Sequence, residues 1–571
     1  MPGIFGNNIN SHINIMEQEN RIYKNLSDNY WYLELSGIKK FENDKTLYND
    51  GNYLILIDGV ILNLSSLKKE YNANDIEELT IKMYEKEGEQ FFNIFRGNFC
   101  GFFKDKKSNK ILIFTNHTGD KTIFYYHENN NIIFASEIKH ILKCMQKNNL
   151  KYSIDKKGIY CMLTYAYMYD NLTLVQEIKR LLPGNYIKIQ NGNLEILEYY
   201  KLSNKVIENN ETEKQIMANI EEKFKKAVEL QVNKNKEYGY TDIAPLSAGL
   251  DSRMTNYMIK KISSNPIYNI TYSQTGQLDE ITPAKIAEEL KNHWIFKNLN
   301  NGLALYFIDE SLKFSDGIIY YVWPSQLYDF MKIINTDNLG IVHTGVIGDA
   351  VLGTFFKGEK YIYNVGDGAY SKKLISKLIK ILDVKNYDNY EIGMFYNRAF
   401  NGAVLGYSMV FQNYTEAISP FMNTEFMNYC LSLPLKYRKR HDIYYKWVNK
   451  YHPNASKYSH NGVRIPKKSK FEIKIKGNKY SISSILSISG NKLRNRFNRR
   501  NNDMNPIQQW YDNNEELRNK MDMYFKDNIY LMSKYQDIKL DMEELYNLGT
   551  ATEKTQVITI LSFMKKYFEN I

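Results

Sequence analysis

The sequence predicts an α+β domain at residues 1–202, a polar linker at 203–214 and an α/β domain at 215–571. Three patterns support this prediction. Short β-rich runs separated by turn signals fill the first domain, strands alternate with helical segments in the second, and the pattern after about residue 370 is mainly helical. We therefore expect an antiparallel sandwich followed by a parallel sheet with a mainly helical C-terminal part.

Hydrophobic runs between polar clusters locate the elements of the first domain. A helix is predicted at 75–87, where Ile76, Leu79 and Met83 contribute to one apolar face. Strands are predicted at 53–58, 98–103, 110–115, 122–127 and 132–135. The short polar segments between these strands indicate antiparallel hairpins.

Alternation of strands and helices locates the elements of the second domain. Strands are predicted at 243–246, 266–272, 294–298 and 339–344, with helices at 253–262 and 281–290. In a parallel sheet of this kind, ligands bind beyond the carboxyl ends of the strands. The loops that follow 243–246 and 339–344 are therefore the first places to look for a site.

Composition excludes several classes of protein. The chain has 571 residues, 43% of them hydrophobic, and only 11 prolines, which favours a compact multidomain protein. Charges or amides interrupt every apolar run before the length of about 20 residues that a membrane span needs. The first residues lack the pattern of a signal peptide, and the four scattered cysteines are typical of buried thiols, so we expect a cytoplasmic protein.

The net charge of +11 is partly a compositional bias and partly local. Many lysines and arginines are concentrated in the basic segment at 464–500. This segment is interpreted as a solvated face or as a surface for an anionic partner. It is not interpreted as a base-stacking surface, so no nucleic-acid partner is predicted.

The loop from Ser247 to Ser252 contains small and hydroxyl residues at a predicted strand-to-helix turn. Such a turn leaves backbone N–H groups free for phosphate oxygens. Asp251 would repel phosphate unless a divalent cation lies between them, so the loop indicates a metal–nucleotide site. Local pattern alone is equally compatible with an ordinary capped turn.

A second loop of the same design follows the strand predicted at 339–344. Its glycines, Gly345 and Gly348, precede Asp349. Two carboxylates at the carboxyl ends of parallel strands are suited to holding Mg²⁺ against a triphosphate. The two loops together favour ATP and Mg²⁺ as cofactors.

These segments resemble the asparagine synthetase superfamily, which includes glutamine-hydrolysing asparagine synthetases, β-lactam synthetases and lasso-peptide cyclases. Its ligase domain carries a Ser-Gly-Gly-x-Asp-Ser pyrophosphate loop, in which Ala248 here replaces one glycine. Further matching segments occur in the same order along nearly the full length: Gly3-Ile4-Phe5-Gly6, Asp58-Gly59, Gly97-Asn98-Phe99, Ala135-Ser136-Glu137-Ile138-Lys139, Arg180-Leu181-Leu182-Pro183-Gly184, Asp279-Glu280, Thr344-Gly345, Gly348-Asp349, Glu416 and Pro420-Phe421.

The resemblance implies an Ntn-hydrolase-like glutaminase domain followed by an ATP-pyrophosphatase-type (PP-loop) ligase domain. It implies that ATP activates a carboxylate as an acyl-adenylate, and that an amine then displaces AMP to form an amide. On this basis Asp251 and Asp349 hold Mg²⁺. The residues implied to contact the nucleotide are Leu246, Ser247, Ala248, Gly249, Leu250, Asp251, Ser252, Ile270, Thr344 and Gly345.

The first domain departs from the family pattern at its reactive positions. Pro2 stands where an active glutaminase has its nucleophilic cysteine. Asp58 replaces the asparagine of the oxyanion hole, and a carboxylate opposes a developing negative charge. We therefore predict a degenerate glutaminase domain, retained to support the ligase or a partner.

The ligase domain departs from the pattern as well. Val346 stands where asparagine synthetases have a glutamate and β-lactam synthetases a tyrosine, and it can act as neither acid nor base. Glu416 is the predicted base, with a structural salt bridge as an equal alternative. Lys467 is the predicted active-site lysine. The alternatives to it are Lys468, Lys470 and Arg464, and His460 lies near the same loop.

The sequence thus predicts an ATP-dependent, AMP-forming amide ligase that does not hydrolyse glutamine. Because Val346 disfavours aspartate and the β-lactam precursor, a peptide macrocyclase or an enzyme amidating a natural product or glycan is favoured. The predicted partners are a small-molecule or peptide carboxylate, ammonia or a substrate amine, and a precursor peptide or protease. The alternatives are an ammonia-dependent asparagine synthetase and a nucleotide-binding pseudoenzyme.

Overall fold

The computed structural model describes residues 3–9, 11–15, 21–28, 30–207, 210–358, 361–458, 472–475, 478–481 and 504–569. Two six-stranded antiparallel sheets form the N-terminal domain, in the orders β10-β8-β9-β1-β3-β2 and β12-β11-β7-β6-β5-β4. Their strands are β1 Gly3–Asn7, β2 Arg21–Ser27, β3 Tyr32–Ile38, β4 Thr46–Asn49, β5 Tyr53–Ile61, β6 Gly97–Asp105, β7 Lys110–Thr115, β8 Phe124–Glu128, β9 Asn131–Ala135, β10 Ile178–Arg180, β11 Asn185–Gln190 and β12 Asn193–Glu198.

The two sheets pack face to face, with helices on their outer faces. Ile4 of β1 packs into the cluster between the sheets, whereas the next residue, Phe5, packs into the cluster on the other side of its sheet. This is the two-residue periodicity of a buried strand. The helices are α1 Leu64–Glu70, α2 Ile76–Glu87, α3 Ile138–Lys147 and α4 Lys156–Tyr165. The α+β sandwich predicted from the sequence is confirmed.

A five-stranded parallel sheet forms the centre of the second domain, in the order β15-β14-β13-β16-β17. All four strand pairs are parallel, as predicted. The linker ends at Thr212, which caps the long helix α5 through a capping box with Gln215. The elements are α5 Glu213–Glu237, β13 Thr241–Pro245, α6 Leu250–Ile262, β14 Tyr268–Ser273, α7 Leu278–Leu290, β15 His293–Asn298, α8 Ile308–Ser315, α9 Val322–Met331, β16 Leu339–His343 and β17 Ala417–Ile418.

The C-terminal part is mainly helical, as predicted. Two π-helical segments, Ala350–Thr354 and Phe395–Val404, lie among its helices. A short antiparallel hairpin pairs β18 Glu472–Ile475 with β19 Asn478–Ser481. The helices are α10 Ile375–Ile381, α11 Tyr390–Met394, α12 Leu405–Phe411, α13 Thr424–Ser432, α14 Leu435–Arg438, α15 Asp442–Tyr451, α16 Ile507–Asn513, α17 Glu515–Asn528, α18 Gln536–Leu548 and α19 Ala551–Tyr567.

The two domains share a buried interface. Gln556 of α19 donates a hydrogen bond of 2.9 Å to the carbonyl of Met162 in α4. Asn98 of β6 donates one of 2.8 Å to the carbonyl of Ala417 in β17. All four cysteines are buried and free. Within the described parts of the chain, no helix is both long and apolar enough to cross a membrane.

Candidate active site

The first glycine-containing loop connects β13 to α6 and is closed by its own hydroxyl groups. The Ser247 Oγ lies 2.9 Å from the Ser252 Oγ, and the Gly249 N–H donates to the Ser247 Oγ at 3.1 Å. Helix α6 begins at Leu250, earlier than the predicted start at 253, so Asp251 and Ser252 lie in its first turn. Because first-turn N–H groups have no acceptor within the helix, this end of α6 can bind an anion.

Ala248 is held differently from its neighbours. Its N–H donates a hydrogen bond of 2.8 Å to Asp279 Oδ1, near the start of α7. Burial raises the pKa of Asp279, while the hydrogen bond from Ala248 opposes the increase. In this conformation Asp279 therefore occupies one N–H group of the loop that was predicted to receive phosphate.

The second loop follows β16 and packs directly against the start of α6. A Cβ atom on Gly345 would lie 2.5 Å from the Ser252 nitrogen, and one on Gly348 would lie 2.7 Å from the Asp251 Cγ. Ile347 between them has a φ of 61°, which β-branched residues rarely adopt. Glycine at 345 and 348 is thus what allows the two loops to meet.

The two predicted metal ligands lie side by side at this junction. The Asp349 N–H donates to Asp251 Oδ2 at 2.8 Å, and the Tyr444 hydroxyl donates to Asp251 Oδ1 at 2.7 Å. Burial, together with the nearby charge of Asp349, raises the pKa of Asp251 to about 8. A cation would relieve this repulsion, so the pair fits Mg²⁺, which proteins bind through one or two carboxylates plus substrate phosphates. No cluster of three or more metal-ligating side chains occurs among the described residues.

A hydroxyl and an imidazole extend this arrangement. The Thr354 Oγ1 donates to Asp349 Oδ2 at 2.7 Å and lies 2.8 Å from His441 Nε2. Arg440 and His441 both have positive φ, at 57° and 58°, in the turn before α15. Burial lowers the pKa of His441, although Asp349 opposes the decrease. Thr354 and His441 could not be predicted from the sequence, because nothing local links either residue to Asp349.

A cavity of about 620 Å³ lies over the two loops, at the carboxyl ends of β13, β14 and β16. This volume is in the range of small-molecule sites. Val346 and Asp349 also line it. Of the residues predicted to contact the nucleotide, those that line it are Leu246, Ser247, Gly249, Leu250, Asp251, Ser252, Ile270, Thr344 and Gly345, whereas Ala248 does not.

Glu416 lies elsewhere, in a buried ion cluster at the domain interface. Its Oε1 is 3.0 Å from Lys121 Nζ, which is also 2.8 Å from Asp58 Oδ2. The carboxyl groups of Glu416 and Asp58 are fully buried. Glu416 is therefore not among the residues that line the cavity, and it takes part in an ion pair in this structure.

Several sequence predictions fall outside the described residues. They are Pro2, His460, Arg464, Lys467, Lys468, Lys470 and, apart from its backbone hairpin β18–β19, the basic segment at 464–500.

Comparison with known proteins finds one family model and several curated relatives. Residues 38–200 match the family model of the glutamine amidotransferase domain. Asparagine synthetase [glutamine-hydrolyzing] 1 of Bacillus subtilis strain 168 is 22% identical over 247 residues, covering 42% of this chain and 37% of the relative. A Methanocaldococcus jannaschii protein provisionally named as a glutamine-hydrolysing asparagine synthetase is 23% identical over 270 residues. The match covers 45% of this chain and 52% of the relative.

The chain is thus similar to glutamine-hydrolysing asparagine synthetases. It spans about half the length, or less, of the curated relatives that it matches. Among solved structures, glutamine phosphoribosylpyrophosphate amidotransferase from B. subtilis, complexed with ADP and GMP, matches 47% of this chain and 51% of its own, with 7% identity and a TM-score of 0.22.

Proposed function

We propose that this protein is a member of the asparagine synthetase superfamily and an ATP-dependent, AMP- and pyrophosphate-forming amide ligase that works without hydrolysing glutamine. One observation carries the proposal: the Asp349 N–H contacts the Asp251 carboxylate at 2.8 Å, which brings two glycine-containing loops together under one cavity. An ordinary capped turn would not need a second carboxylate loop packed against it through Gly345 and Gly348.

Each part of the site has a role in this PP-loop-type proposal. The first turn of α6 and the hydroxyls of Ser247 and Ser252 bind the pyrophosphate portion of ATP. Backbone near Leu246, Ile270 and Gly345 contacts the adenosine portion. Asp251 and Asp349 would hold Mg²⁺, and the bound cation would supply positive charge next to the phosphate oxygens.

The reaction has two steps. A carboxylate oxygen of the substrate attacks the α-phosphorus of ATP, and the bond to pyrophosphate breaks. The amine nitrogen then attacks the acyl carbon, AMP leaves, and the nitrogen loses a proton. The protein contributes mainly by positioning the reactants and stabilising charge. Because Glu416 is buried, it has no role in this scheme, and Lys467 keeps its proposed role as the active-site lysine.

The N-terminal domain supports the proposed independence from glutamine. Pro2 offers no nucleophile. The Asp58 carboxylate lies 2.8 Å from Lys121 Nζ, in the ion cluster. A buried carboxylate paired with an ammonium is unsuited to stabilising an oxyanion. The nitrogen therefore comes from ammonia or from an amine on the substrate, as in a peptide macrocyclase or an enzyme that amidates a natural product or glycan.

The proposal is tested by incubating the full chain with ATP, Mg²⁺, ammonia and a panel of acids, and by measuring pyrophosphate and AMP. We expect equal amounts of both products and no ADP. Asp251→Asn should abolish product formation. Asp383→Asn is the matched control, because the Asp383 side chain is 94% exposed and outside the site; it should behave as the wild type.

The other outcomes separate the alternatives. ADP as the product would overturn the adenylation mechanism. Turnover with aspartate and ammonia would identify an ammonia-dependent asparagine synthetase. Nucleotide binding without turnover of any acid would identify a pseudoenzyme.

A further inference from the structure

A second, smaller cavity of about 190 Å³ adjoins the proposed nucleotide cavity. Four residues, Tyr272, Ala403, Tyr407 and Met504, line both cavities. A substrate could therefore place one part in the small cavity and extend its carboxylate into the large one. We propose that the small cavity binds the non-reacting part of the acid, and that it selects an uncharged, hydroxylated six-membered ring, as in a sugar acid. This inference rests on the proposed ligase function.

The size of the cavity suits a single ring. An apolar cavity of about 150 Å³ holds one benzene molecule. A volume of about 190 Å³ therefore has room for one six-membered ring with small substituents.

Most of the walls of the small cavity come from regular elements. Trp323 and Gln326 lie three residues apart on α9, and Gly406 and Tyr407 lie on α12. A Cβ atom on Gly406 would lie 2.8 Å from Trp323 Cε3, so glycine at this position lets the indole lie against α12. The flat face of an indole suits the flat apolar face of a ring.

Polar groups distinguish a hydroxylated ring from a hydrocarbon one. Gln326 is only 2% exposed, and its Nε2 donates to Asn505 Oδ1 at 2.9 Å. Within the described residues, the Gln326 Oε1 and the Trp323 indole N–H have no hydrogen-bond partner. Both groups keep some solvent exposure. A phenyl ring would remove water from these groups without replacing its hydrogen bonds, whereas ring hydroxyls would replace them.

The charges of the lining argue against a free amino acid. The small cavity is lined by aromatic, amide and apolar residues, and no lysine or arginine lines either cavity among the residues that the structure describes. Among the described lining residues, the α-carboxylate of aspartate would find no cationic partner.

The test measures binding and activation separately on the full chain. Calorimetry with glucuronate in the presence of a non-hydrolysable ATP analogue and Mg²⁺ reports binding, and acid-dependent ATP–pyrophosphate exchange reports activation. We expect glucuronate to bind and to support exchange at least about tenfold better in kcat/KM than phenylacetate, aspartate or a short glutamate-containing peptide.

Two variants test whether Trp323 and Gln326 in the small cavity bind the ring. Trp323→Phe removes the indole N–H, and Gln326→Met removes the amide at nearly constant length. Each should raise the KM for glucuronate about tenfold and change the KM for ATP less than about twofold. Trp31→Phe makes the same chemical change in the N-terminal domain and should change neither KM. Thermal melting identifies any variant that fails to fold. The comparison of the four acids uses the wild-type protein, so it tests the proposal even if a variant does not fold.

The outcomes distinguish the two proposals. Exchange with phenylacetate, aspartate or the peptide at least equal to that with glucuronate would overturn the sugar-acid inference and leave the ligase proposal standing. Glucuronate that binds without supporting exchange, in a protein that activates no acid, would overturn the ligase proposal and leave the subsite. Absence of glucuronate binding would overturn the subsite.

Discussion

The Lys121 ammonium and the Glu416 carboxylate form a buried ion pair at 3.0 Å across the domain interface. Burial opposes the charge of Lys121, but Asp58 and Glu416 outweigh it and raise the pKa of Lys121. Lys45 is also buried, and its charge interacts with both carboxylates, although burial lowers the pKa of Lys45. Two carboxylates and two ammonium groups thus join β5 of the sandwich to the start of β17 in the parallel sheet.

Removing Lys121 should strongly destabilise the protein. Lys121→Met leaves the buried carboxylates of Asp58 and Glu416 without their nearest cation, and breaking a buried pair in this way costs about 3–5 kcal/mol. We expect a loss of this size in the free energy of unfolding, measured by urea denaturation at pH 7.

A surface pair provides the matched control for that experiment. Lys226 lies 2.8 Å from Glu222, with both side chains 62% exposed. Lys226→Met should cost less than about 1 kcal/mol. The double variant Lys121→Met/Glu416→Gln should recover part of the loss, because one unpaired charge is removed. A Lys121→Met loss no larger than the Lys226→Met loss would contradict a structural role for the cluster.

Local patterns explain how much of the fold could be predicted. The strand-to-helix turn at Ser247 and the glycines before Asp349 are visible in short windows, and the structure brings both loops to one cavity. The observed start of a helix differs from the predicted one where the N-cap residue sets it. Helix α6 begins at Leu250, and not at the predicted 253, because Gly249 adopts the extended conformation of an N-cap. The two-residue strand β17 is too short to give any periodicity.

Contacts between distant segments explain what could not be predicted. Glu416 pairs with a lysine 295 positions away, and His441 meets Thr354 across 87 positions. Neither relationship leaves a local pattern. Trp323 and Gln326 belong to α9, whose sequence reads as an ordinary buried helix. Their role emerges only when α12 and β14 complete the cavity around them.

Adding a methyl group at Gly345 should weaken ATP binding. The new Cβ would lie 2.5 Å from the Ser252 nitrogen and push the second loop away from α6. We expect Gly345→Ala to raise the dissociation constant for ATP by at least about tenfold, because anion binding requires the helix N-terminus to stay in place. Isothermal titration with an ATP analogue and Mg²⁺ measures the effect.

Gly51→Ala is the control for that substitution. Nothing lies within 4 Å of a Cβ built on Gly51, and its φ is not positive. ATP affinity in Gly51→Ala should equal that of the wild type. Unchanged affinity in Gly345→Ala as well would show that close packing of the two loops is not needed for binding.

The Thr354 hydroxyl should set the affinity for Mg²⁺. It donates to Asp349 Oδ2 at 2.7 Å and so fixes the orientation of a proposed metal ligand. Thr354→Val keeps the shape and removes the donor, and losing such an outer partner typically costs about 10-fold or more in metal affinity. We expect the Mg²⁺ concentration for half-maximal pyrophosphate release to rise by this factor, and Thr354→Ser to restore it. Equal values for the valine and serine variants would exclude an orienting hydrogen bond.

Glu221 should make the stability of the protein depend on pH in the acid range. It accepts hydrogen bonds of 2.8 Å from Trp447, His452 and Lys261, and so ties α5 to α15 and α6. Burial alone would raise the pKa of Glu221, but these partners, His452 first, lower it from 4.5 to about 2. A carboxyl group with a depressed pKa stabilises the folded state fully above its unfolded value and loses that contribution as the pH falls through its folded value.

The loss of the Glu221 contribution at low pH can be measured by comparing the variants Glu221→Gln and Glu222→Gln. Glu221→Gln should lower the free energy of unfolding by about 1–3 kcal/mol at pH 7, after allowance for solvent screening, and the difference from wild type should shrink steadily between pH 4.5 and pH 2. Glu222→Gln, on the exposed side of the same helix, should change the acid dependence far less, because the Glu222 side chain is 62% exposed. Urea denaturation at a series of pH values measures both. Curves for wild type and Glu221→Gln that stay parallel down to pH 3 would show that the tie between α5 and α15 does not depend on the Glu221 charge.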